Sequence, residues 1–141
     1  MALHAPEIKV GDRHEAVVVE GLTRTQIVQY AGASGDYNPL HTDEVYATQH
    51  VGYPSVFAHG MLTMGMTARL LTDLVGDGQL TRYGVRFARQ VWPGDTLTTT
   101  AVIDAIREES GEQYADFRIS TRNQLDEEVL NGYATARIHP S

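Results

Sequence analysis

Residues Gly60–Val75 read GMLTMGMTARLLTDLV, a stretch in which Met61, Leu62, Met64, Met66, Leu70, Leu71 and Leu74 surround a helix on most sides. A helix apolar around most of its girth has to be enclosed by other elements, and the sequence that follows can supply the enclosure. After Gly76 and Gly78 the apolar period changes to two. In residues 81–91, Tyr83, Val85 and Phe87 fall on one face while Arg82, Gly84 and Arg86 fall on the other. Pro93, Gly94 and Asp95 form a turn before a Thr- and Val-rich stretch at 96–106. Polar turns around 108–112 and 124–126 then set off strands at 114–122 and Glu128–Ile138. Three or four consecutive antiparallel strands wrapping one buried helix make an α+β arrangement.

The residues before the helix are more varied. Residues 8–21 read as a strand, with Val17, Val18 and Val19 favouring extended backbone. Thr23 with Gln26 has the spacing of a capping box, and Ile27, Val28, Tyr30 and Ala31 continue at helical spacing until Gly32 and Gly35 end the element. Residues 34–44, SGDYNPLHTDE, carry loop chemistry, and a short helix through Val45, Tyr46 and Ala47 follows. No repeat, low-complexity segment or linker divides the 141 residues, and that length suits one domain, at roughly 100–200 residues each. We therefore expect a single unit over 1–141.

Charge and composition exclude several functions. The net charge of −7 disfavours non-specific binding to nucleic acid or to an anionic membrane. There is no cysteine, hence no disulfide, thiolate metal site or cysteine nucleophile. The opening MALHAPEIKVGD lacks the basic-then-apolar pattern of a secretory signal, and no run approaches the ~20 apolar residues of a membrane span. A cytoplasmic location is the expectation.

The chemistry-bearing residues are concentrated in one loop, where Asp36, Asn38 and His41 lie close together and Asp43 follows. A carboxylate and an imidazole at this spacing can share a water as general acid and base near neutral pH. The same residues also suit a plainer arrangement, with Asp36 and Asn38 making Asx-turns and His41 on the surface. Asp36, His41 and Asp43 could hold a metal, but without cysteine or a second histidine nearby the pattern is a poor zinc site. His59, beside the apolar helix, reads more readily as a packing or capping residue than as one that touches substrate. Met61, Met64 and Met66 read as core, or as the flexible lining of an acyl tunnel. Arg82, Arg86 and Arg89, with Arg69 behind them, are candidates for binding phosphates or for solubilising an exposed face. His4, His14, His50 and His139 receive no role.

The stretch YAGASGDYNPLHTDEVYA, residues 30–47, resembles the Y-A-x-x-S-G-D-x-N-P-x-H-x-D signature of the MaoC-like, (R)-specific enoyl-CoA hydratases (hydratase 2), with every fixed position filled. FAHGML at 57–62, VRFARQVWPGDTL at 85–97 and NQLDEEVLNGYA at 123–134 are similar to that family's helix start, strand and turn, and closing hairpin. The chain is also similar in size to the dehydratase B-type subunits of actinobacterial long-chain fatty-acid synthesis. The resemblance implies a hotdog fold, a curved antiparallel sheet around the helix beginning near Gly60. It implies (R)-specific hydration of trans-2-enoyl thioesters of CoA or an acyl carrier protein, or the reverse dehydration, with Asp36 and His41 activating the water and Asn38 orienting them. The backbone N–H of Gly60 takes the thioester oxygen in that scheme, which suits a helix N-terminus with its free N–H groups and partial positive charge. No metal or redox cofactor is required. The resemblance further implies a homodimer paired through the sheet edge, with a heterodimer in which this chain is the catalytic half as an alternative. A second alternative is a hotdog thioesterase. Such enzymes usually carry a carboxylate on the central helix, whereas Met61 to Leu71 holds none and Asp73 comes late.

Overall fold

The computed structural model describes residue 3 and residues 7–139, so His4 lies outside the described residues. In chain order the elements are β1 (Arg13–Val19), α1 (Arg24–Ser34), a π-helical turn (Tyr46–His50), α2 (Gly60–Val75), β2 (Leu80–Phe87), β3 (Leu97–Glu109), β4 (Glu112–Arg122) and β5 (Glu128–Ile138). All five strands join one antiparallel sheet in the order β1-β3-β4-β5-β2.

That order differs from a run of consecutive strands. Only β3, β4 and β5 form a meander; β2 crosses to the far side and pairs with β5, with Gly84 opposite Tyr133 and Phe87 opposite Leu130. Local alternation identifies a strand but carries no information about its partner, which long-range packing chooses. The crossing leaves β2 at one edge of the sheet and β1 at the other.

Burial alternates along β3 from Leu97 to Ile103, as expected when one sheet face meets the core and the other meets water. On the inner face, Leu70, Leu71 and Val75 of α2 pack against Ile103, Phe117 and Ile119. A second cluster, including Leu22, Ile27, Ala58, Val91 and Leu97, lies under α1 and beside the start of α2. The helix is not enclosed all round. Its buried positions are Thr63, Thr67, Leu70, Leu71 and Val75, while Met61 is 58% exposed, because a single sheet covers only one side. The two threonines are accommodated by hydrogen bonding. Thr63 Oγ1 donates to the Gly60 carbonyl at 2.7 Å, and Thr67 Oγ1 lies 2.7 Å from Thr121 Oγ1, which is itself 2.7 Å from Thr99 Oγ1. This chain of fully buried hydroxyls joins α2 to β4 and β3.

Candidate active site

Helix α1 delivers the site loop, and its boundaries follow from local chemistry. Thr23 Oγ1 accepts the Gln26 N–H, and the Gln26 side chain accepts the Thr23 N–H at 2.9 Å, completing the capping box. Gly35 ends the helix in the left-handed region at φ 76°, its N–H bonded to the Ala31 carbonyl, where a residue with a Cβ is strained. Gly32 lies inside the helix rather than ending it.

From there the loop is wound by its own side chains. Asp36 Oδ1 accepts the Asn38 N–H at 3.2 Å, Asn38 Oδ1 accepts the Leu40 N–H at 3.0 Å, and the His41 N–H donates to the Asn38 carbonyl at 3.0 Å. The Asx-turn arrangement is therefore real, and the same loop brings Asp36 and His41 close together. Asn38 acts on the loop backbone. Asp43 is directed elsewhere, its Oδ1 capping the π-helical turn through the Tyr46 N–H at 3.1 Å.

Residues 55–58 run between this loop and the body of the protein. The Phe57 N–H donates to the Leu40 carbonyl at 3.3 Å, and the Ala58 N–H to the Val91 carbonyl at 2.8 Å. Glu44 accepts from Arg24 at 2.6 Å and from the Val56 N–H at 3.3 Å, so one carboxylate ties α1, the loop and this segment together. The pairing with Arg24 holds the Glu44 carboxyl below its ordinary range.

His41 is 9% exposed. Its Nδ1 lies 2.6 Å from the Phe57 carbonyl; a carbonyl can only accept, so Nδ1 carries the proton and Nε2 presents a lone pair. Burial lowers the basicity of His41 below that of an ordinary imidazole, the Phe57 carbonyl partly opposes this, the neighbouring His59 lowers it further, and Asp36 raises it. The outcome is a neutral imidazole at neutral pH with a free basic nitrogen.

The structure adds a residue that sequence reasoning set aside as packing. His59, the N-cap of α2, stacks on His41 with ring centroids 3.8 Å apart and planes at 26°. Ligand-type atoms of Asp36, His41 and His59 all lie within 4.8 Å of one another. Its signal in the sequence was position: a histidine immediately before the glycine that opens the apolar helix can meet the loop only once the helix start is folded against it. The three residues could in principle hold a cation. An ion about 2.0–2.1 Å from both imidazoles would have to sit in both ring planes, and nearly parallel stacked rings do not converge at that range, so the arrangement suits proton transfer better.

Gly60 opens α2, and its N–H has no carbonyl partner within the helix. A Cβ there would stand 3.1–3.2 Å from the Phe87 ring, so glycine lets β2 approach the helix start. A cleft of about 280 Å³ runs past this point, lined by Phe57, Gly60, Thr63, Phe87, Arg89 and Val91. Of the candidate phosphate ligands, Arg89 pairs with Glu127 at 3.2 Å and Arg82 lies over the Tyr133 ring at 4.7 Å. Arg86 is exposed on the edge strand, and Arg69 is exposed on α2.

A five-stranded antiparallel sheet packed on one central helix, with Asp36, His41 and His59 gathered at the N-terminus of that helix, defines a hotdog-fold protein. The profile described as MaoC like domain matches residues 6–135, and the chain belongs to that family. It is 39% identical over 98 residues to 3-hydroxyacyl-thioester dehydratase Y of Mycobacterium tuberculosis, a match covering 67% of this chain and 33% of that protein. It is 31% identical over 134 residues to the (R)-specific enoyl-CoA hydratase of Rhodospirillum rubrum, covering 94% of this chain and 89% of that one. The chain thus spans about a third of the mycobacterial relative but most of the hydratase. Among solved structures, the unliganded R-hydratase of Pseudomonas aeruginosa superposes with a TM-score of 0.85 at 25% identity, covering 99% of this chain and 87% of that one. Among the described residues no helix is long and apolar enough to cross a membrane.

Proposed function

We propose that this chain adds water across the double bond of trans-2-enoyl thioesters to give (R)-3-hydroxyacyl thioesters, or runs the reverse dehydration. The observation that carries the reading is His41, its Nδ1–H fixed on the Phe57 carbonyl so that Nε2 keeps its lone pair, in a group with Asp36 at the start of α2. In the forward direction a water held between Asp36 and His41 bonds through its oxygen to C3 and loses a proton to His41 Nε2. The C2–C3 π electrons move toward the thioester carbonyl, whose oxygen gains negative charge and is met by the Gly60 N–H. The enolate then takes a proton at C2 from the same face, and His41 returns to its neutral form. Asn38 keeps the pair in place through the loop backbone. Dehydration reverses each step.

The reading takes CoA or acyl-carrier thioesters as substrates and places the chemistry in cytoplasmic fatty-acyl metabolism. It also pairs two copies along β2, an edge strand whose outer side has no strand partner among the described residues and beside which Met61 and Phe87 are exposed. The expected solution mass is about twice 15.5 kDa.

The test uses the purified protein alone with crotonyl-CoA and a longer trans-2-enoyl-CoA, following loss of enoyl-thioester absorbance, product chirality and free CoA. An (R)-3-hydroxyacyl product without CoA release is expected. Free CoA would make the protein a thioesterase. Silence with both substrates would overturn the self-sufficient hydratase in favour of a heteromer or a carrier-bound substrate.

A further inference from the structure

His59 is 1% exposed, yet it is poor core filler. Its Nε2–H donates to the main-chain carbonyl of Asp36 at 3.0 Å, which leaves Nδ1 as an acceptor, and that atom is buried with no hydrogen-bond partner among the described residues. A buried acceptor without a donor is destabilising, and an apolar side chain of similar volume would avoid the loss. The advantage of the imidazole therefore lies in its other contacts. One face carries the ring of His41. Tyr30 of α1 meets the ring at 4.8 Å and 65°, restricting its rotation. The Nε2–H holds the residue that supplies the carboxylate.

We infer that His59 is a positioning residue: through the Asp36 carbonyl and the face of the His41 ring it sets the separation of the two groups that share the reacting water, without touching substrate itself. Both groups belong to a largely exposed loop wound on its own side chains, and the main chain of Phe57 anchors the His41 end of it while His59 anchors the Asp36 end. His59 instead belongs to the junction of α2 with the core, so it transmits the rigidity of the helix to the loop. The kinetic consequence rests on the hydration reading; the spacing itself does not.

Two variants of the full chain separate its contacts. His59→Phe keeps an aromatic ring under His41 and removes the N–H, whereas His59→Gln keeps an N–H near the same place and removes the ring. Displacing a reacting group by a fraction of an ångström to 1 Å is enough to lower kcat for crotonyl-CoA hydration by about tenfold or more in His59→Phe. KM should stay within about twofold, because no substrate contact is lost, and His59→Gln should recover part of the loss. A wild-type kcat in His59→Phe would overturn the proposal, as would a Gln variant no better than Phe with both lowered in thermal midpoint.

A second measurement does not depend on activity: an NMR titration of the His41 ring protons in wild type and His59→Phe. Asp36 and His59 are the ionisable groups acting on His41, and Tyr30 is the one packed against His59. Removing the facing imidazole should shift the His41 resonances and raise its midpoint; unchanged resonances and midpoint would refute the stacking. A wild type silent toward crotonyl-CoA would sink the hydration reading while this titration still decides the role of His59.

Discussion

Replacing Thr121 with valine keeps the shape of the side chain and removes the middle hydroxyl of the seam between α2 and the sheet. Thr121 Oγ1 stands 2.7 Å from both Thr67 Oγ1 and Thr99 Oγ1, and all three residues are fully buried. The variant loses two hydrogen bonds and leaves two hydroxyls in an apolar core. Thr67 lies on a helix and can turn its hydroxyl toward the carbonyl four residues back, whereas Thr99 sits on a strand whose carbonyls serve the ladder. We therefore expect one full penalty and part of a second, about 2–4 kcal/mol at ~1–3 kcal/mol for each unsatisfied buried group. Across 141 residues, an unfolding entropy near 2.1 cal/mol/K per residue gives about 0.3 kcal/mol/K, and the thermal midpoint should fall by roughly 7–13 °C. Calorimetry at one fixed protein concentration is the assay, since pairing between copies would make the midpoint depend on concentration. The triple variant Thr67→Val, Thr99→Val, Thr121→Val has no hydroxyl left to strand and should recover most of the loss. A midpoint for Thr121→Val within about 2 °C of wild type, or a triple variant worse than the single one, would refute the reasoning.

Four further outcomes are expected. Asp36→Asn and His41→Ala should each lower hydration turnover by about 10² or more, as for general acid–base groups, with circular dichroism unchanged; near-wild-type rates in both would end the proposed mechanism. Because burial lowers the basicity of His41, kcat/KM should fall on an acid limb whose midpoint lies below the ordinary imidazole value of about 6.5 and level off on the alkaline side of that midpoint. Stability shares the sign: the unfolded chain binds this proton more readily, so the contribution of neutral His41 is present above about pH 6.5 and is lost as pH falls through its folded pKa. Gly60→Ala places a Cβ against the Phe87 ring, which is half-exposed and able to move; turnover should drop about tenfold or more with little change in midpoint, and unchanged kinetics would remove Gly60 from the site.

What could be read from the sequence was whatever depends on neighbours along the chain. The capping box of Thr23 and Gln26, the bounds of α2 and the bounds of β5 all follow from residues within a few positions of one another. The loop that gathers Asp36 and His41 is of the same kind, since its turns are made by its own side chains. What could not be read depends on distant parts meeting. The pairing of β2 with β5 instead of β3 is decided by how the sheet closes over α2. The buried threonines of α2 look polar in sequence and become core residues only because Thr121 and Thr99 are there to receive them. His59 looked like a helix-end residue until the fold set His41 upon it.

The carbonyl that fixes the tautomer of His41 belongs to Phe57, three residues before Gly60, whose N–H opens α2. In the proposed reaction, the group that takes the proton and the N–H that meets the developing negative charge are therefore referenced to the same short piece of main chain. If that segment shifts against the sheet, both ends of the reaction coordinate shift together and their separation is preserved. Such a site follows its supporting segment as one body. Its tolerance to displacement is then greatest for motions of the whole segment, and least for changes between Phe57 and Gly60, where even a single inserted residue would put the two poles out of step.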